Sequence, residues 1–129
     1  MSDRVEIRVP VLAEPISHYT DAVRAGDLLF VSGCIAVDGD GRLVGGDVVA
    51  QTRQVFANLG AVLAAACAGF GDVVKVTVFL TDVDDRRAVN TVRQEVFGDA
   101  RPASTLVEVS RLAIPGALVE IEAVALVRG

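Results

Sequence analysis

The apolar positions of this chain change period several times, and each change marks an element. Val5 to Val9 alternates apolar and polar residues, the pattern of a half-buried strand. Asp21 to Arg24 and Leu28 to Ser32 read as two further strands around Ala25-Gly26-Asp27, a hairpin turn in which glycine takes positive φ without a Cβ penalty. A short strand, Ile35 to Val37, then enters the loop Asp38-Gly39-Asp40-Gly41. From Asp47, an N-cap, the spacing becomes helical: Val48, Thr52, Val55, Phe56, Leu59, Val62, Leu63 and Ala66 share one stripe, and the helix is expected to end near Gly69. Val73 to Leu80, rich in β-branched residues, reads as a central strand. A second helix opens at Asp84-Asp85, where negative charge suits the dipole; it buries Val89, Val92, Val96 and Phe97 and stops at Gly98. Thr105 to Val109 and Leu118 to Val127 are the last strands, joined through Pro115-Gly116.

This order predicts a single α+β domain over residues 1–129, a mostly antiparallel sheet with both helices on one face. The other face must meet water or another subunit. Alternation in the last strand puts Val119, Ile121, Ala123 and Ala125 on one side and Glu120, Glu122, Val124 and Leu126 on the other, a mixture that suits a partly buried interface.

Composition sharpens that expectation. Hydrophobic residues make up 52% of the chain and mean hydropathy is +0.50, which points to apolar surface hidden by self-association. A net charge of −5 with one lysine leaves no basic stripe, so nucleic acid is not an expected partner. The longest strongly apolar stretch, Gly60 to Phe70, is far short of the ~20 residues of a membrane span. The first residues, MSDRVEIRVP, carry charges where a signal peptide is apolar, and the expected compartment is the cytoplasm. Cys34 and Cys67 are expected to stay thiols there, with Cys67 packed among the alanines of the first helix. No metal-ligand spacing and no serine hydrolase elbow occurs, and GDGRLVGGD lacks the lysine of a phosphate-binding loop, so neither metal nor cofactor is expected.

The stretches SHYTDAVRAGDLLFVSG (Ser17 to Gly33), PASTLVEV (Pro102 to Val109) and LVEIEAVAL (Leu118 to Leu126) carry a family likeness. With them the chain resembles, over nearly its whole length, the RidA/YjgF family of small trimeric enamine and imine deaminases. The resemblance implies a chorismate mutase-like fold, a homotrimer, and an active site in each cleft between subunits. It also implies roles. Tyr19 lies over the substrate, with His18 in place of the usual proline before it; Ser32 and Gly33 offer backbone groups, followed by Cys34 where glutamine is frequent. Asn90 matches an asparagine of the second helix, and Glu120 matches the glutamate that positions water. The family's substrate-clamping arginine falls at Ser104, next to Thr105, and Leu106 takes a position that is cysteine in some members.

Hydrolysis of an imine or enamine needs water to attack a carbon made electrophilic by protonation of its nitrogen, and a carboxylate such as Glu120 can hold and deprotonate that water. His18, the chain's only histidine, is a second candidate for proton transfer. Serine at 104 cannot reproduce the bidentate grip of a guanidinium on a carboxylate, which removes the usual 2-imino acids from the expected substrates. Arg101 can restore that grip only if the turn at Pro102 redirects it. Three functions follow: a hydrolase acting on the C–N bond of an enamine, imine or related reactive metabolite; a non-catalytic trimer that binds small metabolites in the same clefts; and a ribonuclease or translation inhibitor, which the pI of about 4.7 disfavours. Bland alternatives accompany each residue. Glu120 also reads as an interface acid, Tyr19 as a core aromatic, and Asn90 as a solvent-facing or capping side chain.

Overall fold

The computed structural model describes residues 3–128. Six strands form one sheet: β1 (Arg4–Ile7), β2 (Ala22–Ala25), β3 (Leu28–Ile35), β4 (Val73–Leu80), β5 (Ala103–Glu108) and β6 (Val119–Leu126), in the order β1-β2-β3-β6-β4-β5. All neighbours are antiparallel except β4 and β5, which run parallel because α2 (Arg86–Phe97) crosses between them. The other helix, α1 (Val48–Ala65), packs beside α2 over β3 and β6, so both helices cover one face and the fold is α+β.

The side-chain period of two in the strands decides what that covered face buries. Leu29, Val31, Val76, Val78, Val119, Ile121 and Ala125 meet Val55, Leu59, Val62 and Leu63 of α1 and Val89 and Val92 of α2 in one hydrophobic core. Phe56, Phe70 and Phe97 close one end, edge to face, with ring centroids 5.5–6.0 Å apart. Opposite, the uncovered face leaves Phe30 46%, Leu28 37% and Val107 39% exposed.

Several boundaries differ from the sequence reading. The segments Leu28–Ser32 and Ile35–Val37 are not two strands: β3 runs unbroken to Ile35, and the register with β6 skips Ser32 and Gly33, which form a bulge. Helix α1 begins on Asp47, whose side chain accepts from the Ala50 amide at 2.8 Å, yet it ends at Ala65, short of Gly69. The cause is Cys67, which takes φ of +59° and lets Ala68 and Cys67 donate to the carbonyls of Leu63 and Ala64. Cys67 is therefore an exposed residue beyond the helix, and the expectation that it packs is corrected.

Three buried polar residues interrupt the apolar stripe of α1: Thr52 donates to the Val48 carbonyl of its own helix at 2.6 Å, while Gln51 and Asn58 secure loops. Gln51 accepts from the Leu118 amide at 2.8 Å and donates to the Gly116 carbonyl at 3.1 Å; Asn58 donates to the carbonyls of Ile35 and Val37 at 3.0 and 2.9 Å. Each satisfies backbone groups that leave the sheet at one end. Among the described residues no helix is long and apolar enough to cross a membrane.

Candidate functional site

The end of the sheet where β3 bulges forms the floor of a cleft. One wall is the long β1–β2 loop, held down by charge and hydrogen bonds. Asp21 accepts from the Val9 amide and from Arg8 Nη1, both at 2.7 Å, while Arg8 also donates to the carbonyls of Val9 and, at 2.9 Å, Leu12. Thr20 donates to the Ile7 carbonyl at 2.9 Å and Ser32 Oγ to the Thr20 carbonyl at 2.6 Å, which fastens the loop to the bulge. So anchored, the loop presents Leu12, Ile16 and Tyr19 to a cavity of about 370 Å³, a volume suited to a small metabolite. The facing wall is Ala113 and Ile114 from the β5–β6 loop, and α1 adds Asn58 and Val62.

Glu120 enters this cleft from β6 and lies directly over Gly33. A Cβ built on Gly33 would stand 2.8 Å from both Cδ and Oε2 of Glu120, so only glycine lets the carboxylate occupy this place. Burial pushes the Glu120 carboxyl above its ordinary range, and the neighbouring charge of Glu122 adds to the shift. Among the described residues no donor hydrogen-bonds to it, so its oxygens are available to water or substrate.

Burial, with the charges of Asp21 and Glu120, pushes the Cys34 thiol up to about 12, and its Sγ leans 3.5 Å from the Ser32 carbonyl. At neutral pH it is a protonated thiol and no nucleophile. The Ser32 hydroxyl has spent its hydrogen on Thr20 and retains only lone pairs for a ligand.

Of the residues singled out in the sequence, Tyr19, Ser32, Gly33, Cys34 and Glu120 share this cleft; His18, Asn90, Ser104 and Thr105 do not line it within the chain. His18 is exposed on the loop beside Tyr19, and Asn90 is exposed on α2. Ser104 pairs with Val76 and so leaves β5 on the helix side, whereas Thr105 pairs with Thr77 on the uncovered face. Arg101 is exposed ahead of β5. Sequence reasoning overlooked Asp21 as the clasp of the loop and Asn58 as a wall residue. A polar residue in the buried stripe of α1 was the available signal for Asn58; nothing local distinguished Asp21 from a strand residue.

A family model described as Endoribonuclease L-PSP matches residues 11–127. The chain belongs to this family, that of RidA and YjgF. It is 47% identical to RutC family protein PH0854 of Pyrococcus horikoshii over 87% of the chain and 89% of that protein. It is also 40% identical to the goat (Capra hircus) 2-iminobutanoate/2-iminopropanoate deaminase, over 85% of this chain and 80% of the relative. The crystal structure of the yeast protein YEO7 superposes with a TM-score of 0.93 at 31% identity, covering 97% of this chain and 99% of that one.

Proposed function

We propose that the protein hydrolyses the C–N bond of an imine, enamine or related reactive metabolite in clefts completed by a second copy of the chain. The observation that carries this is Glu120: a carboxylate with no hydrogen-bond donor among the described residues, seated on Gly33 in a mainly apolar cleft that Tyr19 also lines. Ionised Glu120 takes a proton from water as the water oxygen bonds to the carbon of a protonated imine. Glu120 returns that proton to the nitrogen of the resulting carbinolamine, the C–N bond breaks, and the hydroxyl gives up its proton as it becomes a carbonyl, so that the nitrogen leaves as ammonium and Glu120 is again ionised. Tyr19 covers the substrate, while the bulge at Ser32 and Gly33 offers backbone groups. The deaminase activity named for the goat relative supports this reading.

A homotrimer is part of the same proposal, and the placement of three family positions supports it. Asn90, Ser104 and Thr105 stand outside their own chain's cleft, and Thr105 lies on the uncovered face with the exposed Phe30 and Val107, so a neighbouring copy is the way for them to reach a site. Ser104 favours a second reading, a trimer that binds metabolites without turning them over, because it is neutral where the family's clamp is cationic.

The test is ammonia release from 2-iminobutanoate generated in place by a dehydratase, compared with imines that lack a carboxylate. Release is expected from the latter and to be weak from the former, with Ser104→Arg raising the former. No release from any imine by the folded trimer would favour the binding reading.

A further inference from the structure

We infer that the cleft selects a neutral or cationic nitrogen compound with an aliphatic body and rejects carboxylates. This deepens the proposed hydrolase reading and shares its site. Every charged residue lining the cavity is acidic: Glu14, Asp21 and Glu120. Among the described residues no lysine, arginine or histidine lines it. The cation paired with two of these acids, Arg8, is committed to Asp21 at 2.7 Å, to the carbonyls of Val9 and Leu12 and, at 3.4 Å, to Glu14. It anchors the loop and has little left to offer a ligand.

The remaining lining makes this charge pattern selective. Leu12, Ile16, Val62 and Ile114 give the cavity aliphatic walls, which lower the local dielectric and strengthen both attraction and repulsion. A carboxylate placed there meets Glu120 with no cation to offset it. An ammonium, an amidinium or a protonated imine instead makes a charge-assisted hydrogen bond to Glu120. The serine hydroxyl on the floor points the same way, since Ser32 has given its hydrogen to Thr20 and can only accept from a ligand. Ser104 supplies no charge from a neighbouring copy. One lysine is the alternative anchor: Lys75 donates to Thr105 Oγ1 at 2.6 Å on the uncovered face.

Three probes of similar size test the inference on the unmodified protein: butylammonium, butanamide and butanoate, titrated near pH 8 with NMR shifts followed at Tyr19, Gly33 and Ile114. Butylammonium is expected to bind about tenfold or more tighter than butanoate, the scale of one charge-assisted contact, and Glu120→Gln should reduce that preference severalfold. Equal or tighter binding of butanoate overturns the inference, as does failure of both butylammonium and butanamide to bind. Butanoate binding that disappears in Lys75→Met overturns it too and assigns the anion anchor to Lys75. Because equilibrium binding needs no turnover, a protein that hydrolyses nothing leaves the inference intact. A protein that rapidly hydrolyses carboxylate-bearing imines refutes the inference while sustaining the hydrolase reading.

Discussion

The two sides of strand β6 are built from one eight-residue sequence and do different work. On the covered side Val119, Ile121, Ala123 and Ala125 are all but sealed from solvent; on the other, Glu120, Val124 and Leu126 are half-buried and Glu122 is exposed. The covered side holds the fold, because removing atoms there leaves a hole that the packed helices cannot fill. The uncovered side carries the carboxylate on which the proposed chemistry rests, a group only partly withdrawn from water that combines a raised pKa with access to solvent.

The sharpest way to break this contrast is Ile121→Ala. Isoleucine 121 is fully buried in the core, and its truncation is expected to cost about 3–4 kcal/mol in a denaturant titration. A cost below about 1 kcal/mol would mean that the covered side is not what stabilises the sheet.

Gly33→Ala probes the opposite side. The new methyl group would collide with the far end of the Glu120 side chain, which can swing away, so stability should change little while the carboxylate is displaced. Turnover is expected to fall on the order of tenfold or more, as misplacement of a reacting group usually costs, with melting nearly unchanged. A large loss of stability at unchanged turnover would contradict the proposed seat of Glu120.

At a smaller scale, Cys67→Gly should stabilise the protein by roughly 0.5–1 kcal/mol, since glycine adopts the left-handed conformation at Cys67 without strain. Thermal melting checks it, and an unchanged or lower melting temperature counts against that assignment.

The pH dependence carries the smallest expected shift. Glu120 must be ionised to accept a proton from water, so activity rises with pH, and its raised pKa places the ascending limb above the ordinary carboxylate range. Glu122→Gln removes the lesser of the two causes and should move that limb to lower pH, as kcat profiles will show. A limb that does not move leaves burial as the sole cause.

Much of this contrast was legible in the sequence. Alternation assigned each β6 residue to its side, and the caps at Asp47 and Gly98 are where the local chemistry places them. What escaped depends on contacts distant in the chain. Gly33 resembles a strand break until Glu120, far along the sequence, is seen to need the space above it, and only then does the break become a bulge. Asp21 gives no local sign that it will clasp Arg8. At Cys67 the apolar run continues, so hydrophobic pattern alone extends a helix that backbone geometry ends. Tyr19, Ser32 and Glu120 were found through family likeness, since single acids and aromatics carry no spacing signal.

Glu120→Gln tests the central claim most directly. The change keeps shape while removing the base, and at neutral pH it also removes the cost of ionising a carboxyl whose folded pKa is raised. That cost is absent at low pH, where the group is protonated, and appears as pH rises through the folded pKa. The variant should therefore melt no lower than the parent at neutral pH and still bind ligand, while turnover of a carboxylate-free imine drops roughly 10²-fold or more. A folded Glu120→Gln protein that keeps full turnover would contradict the account and remove Glu120 from the chemistry.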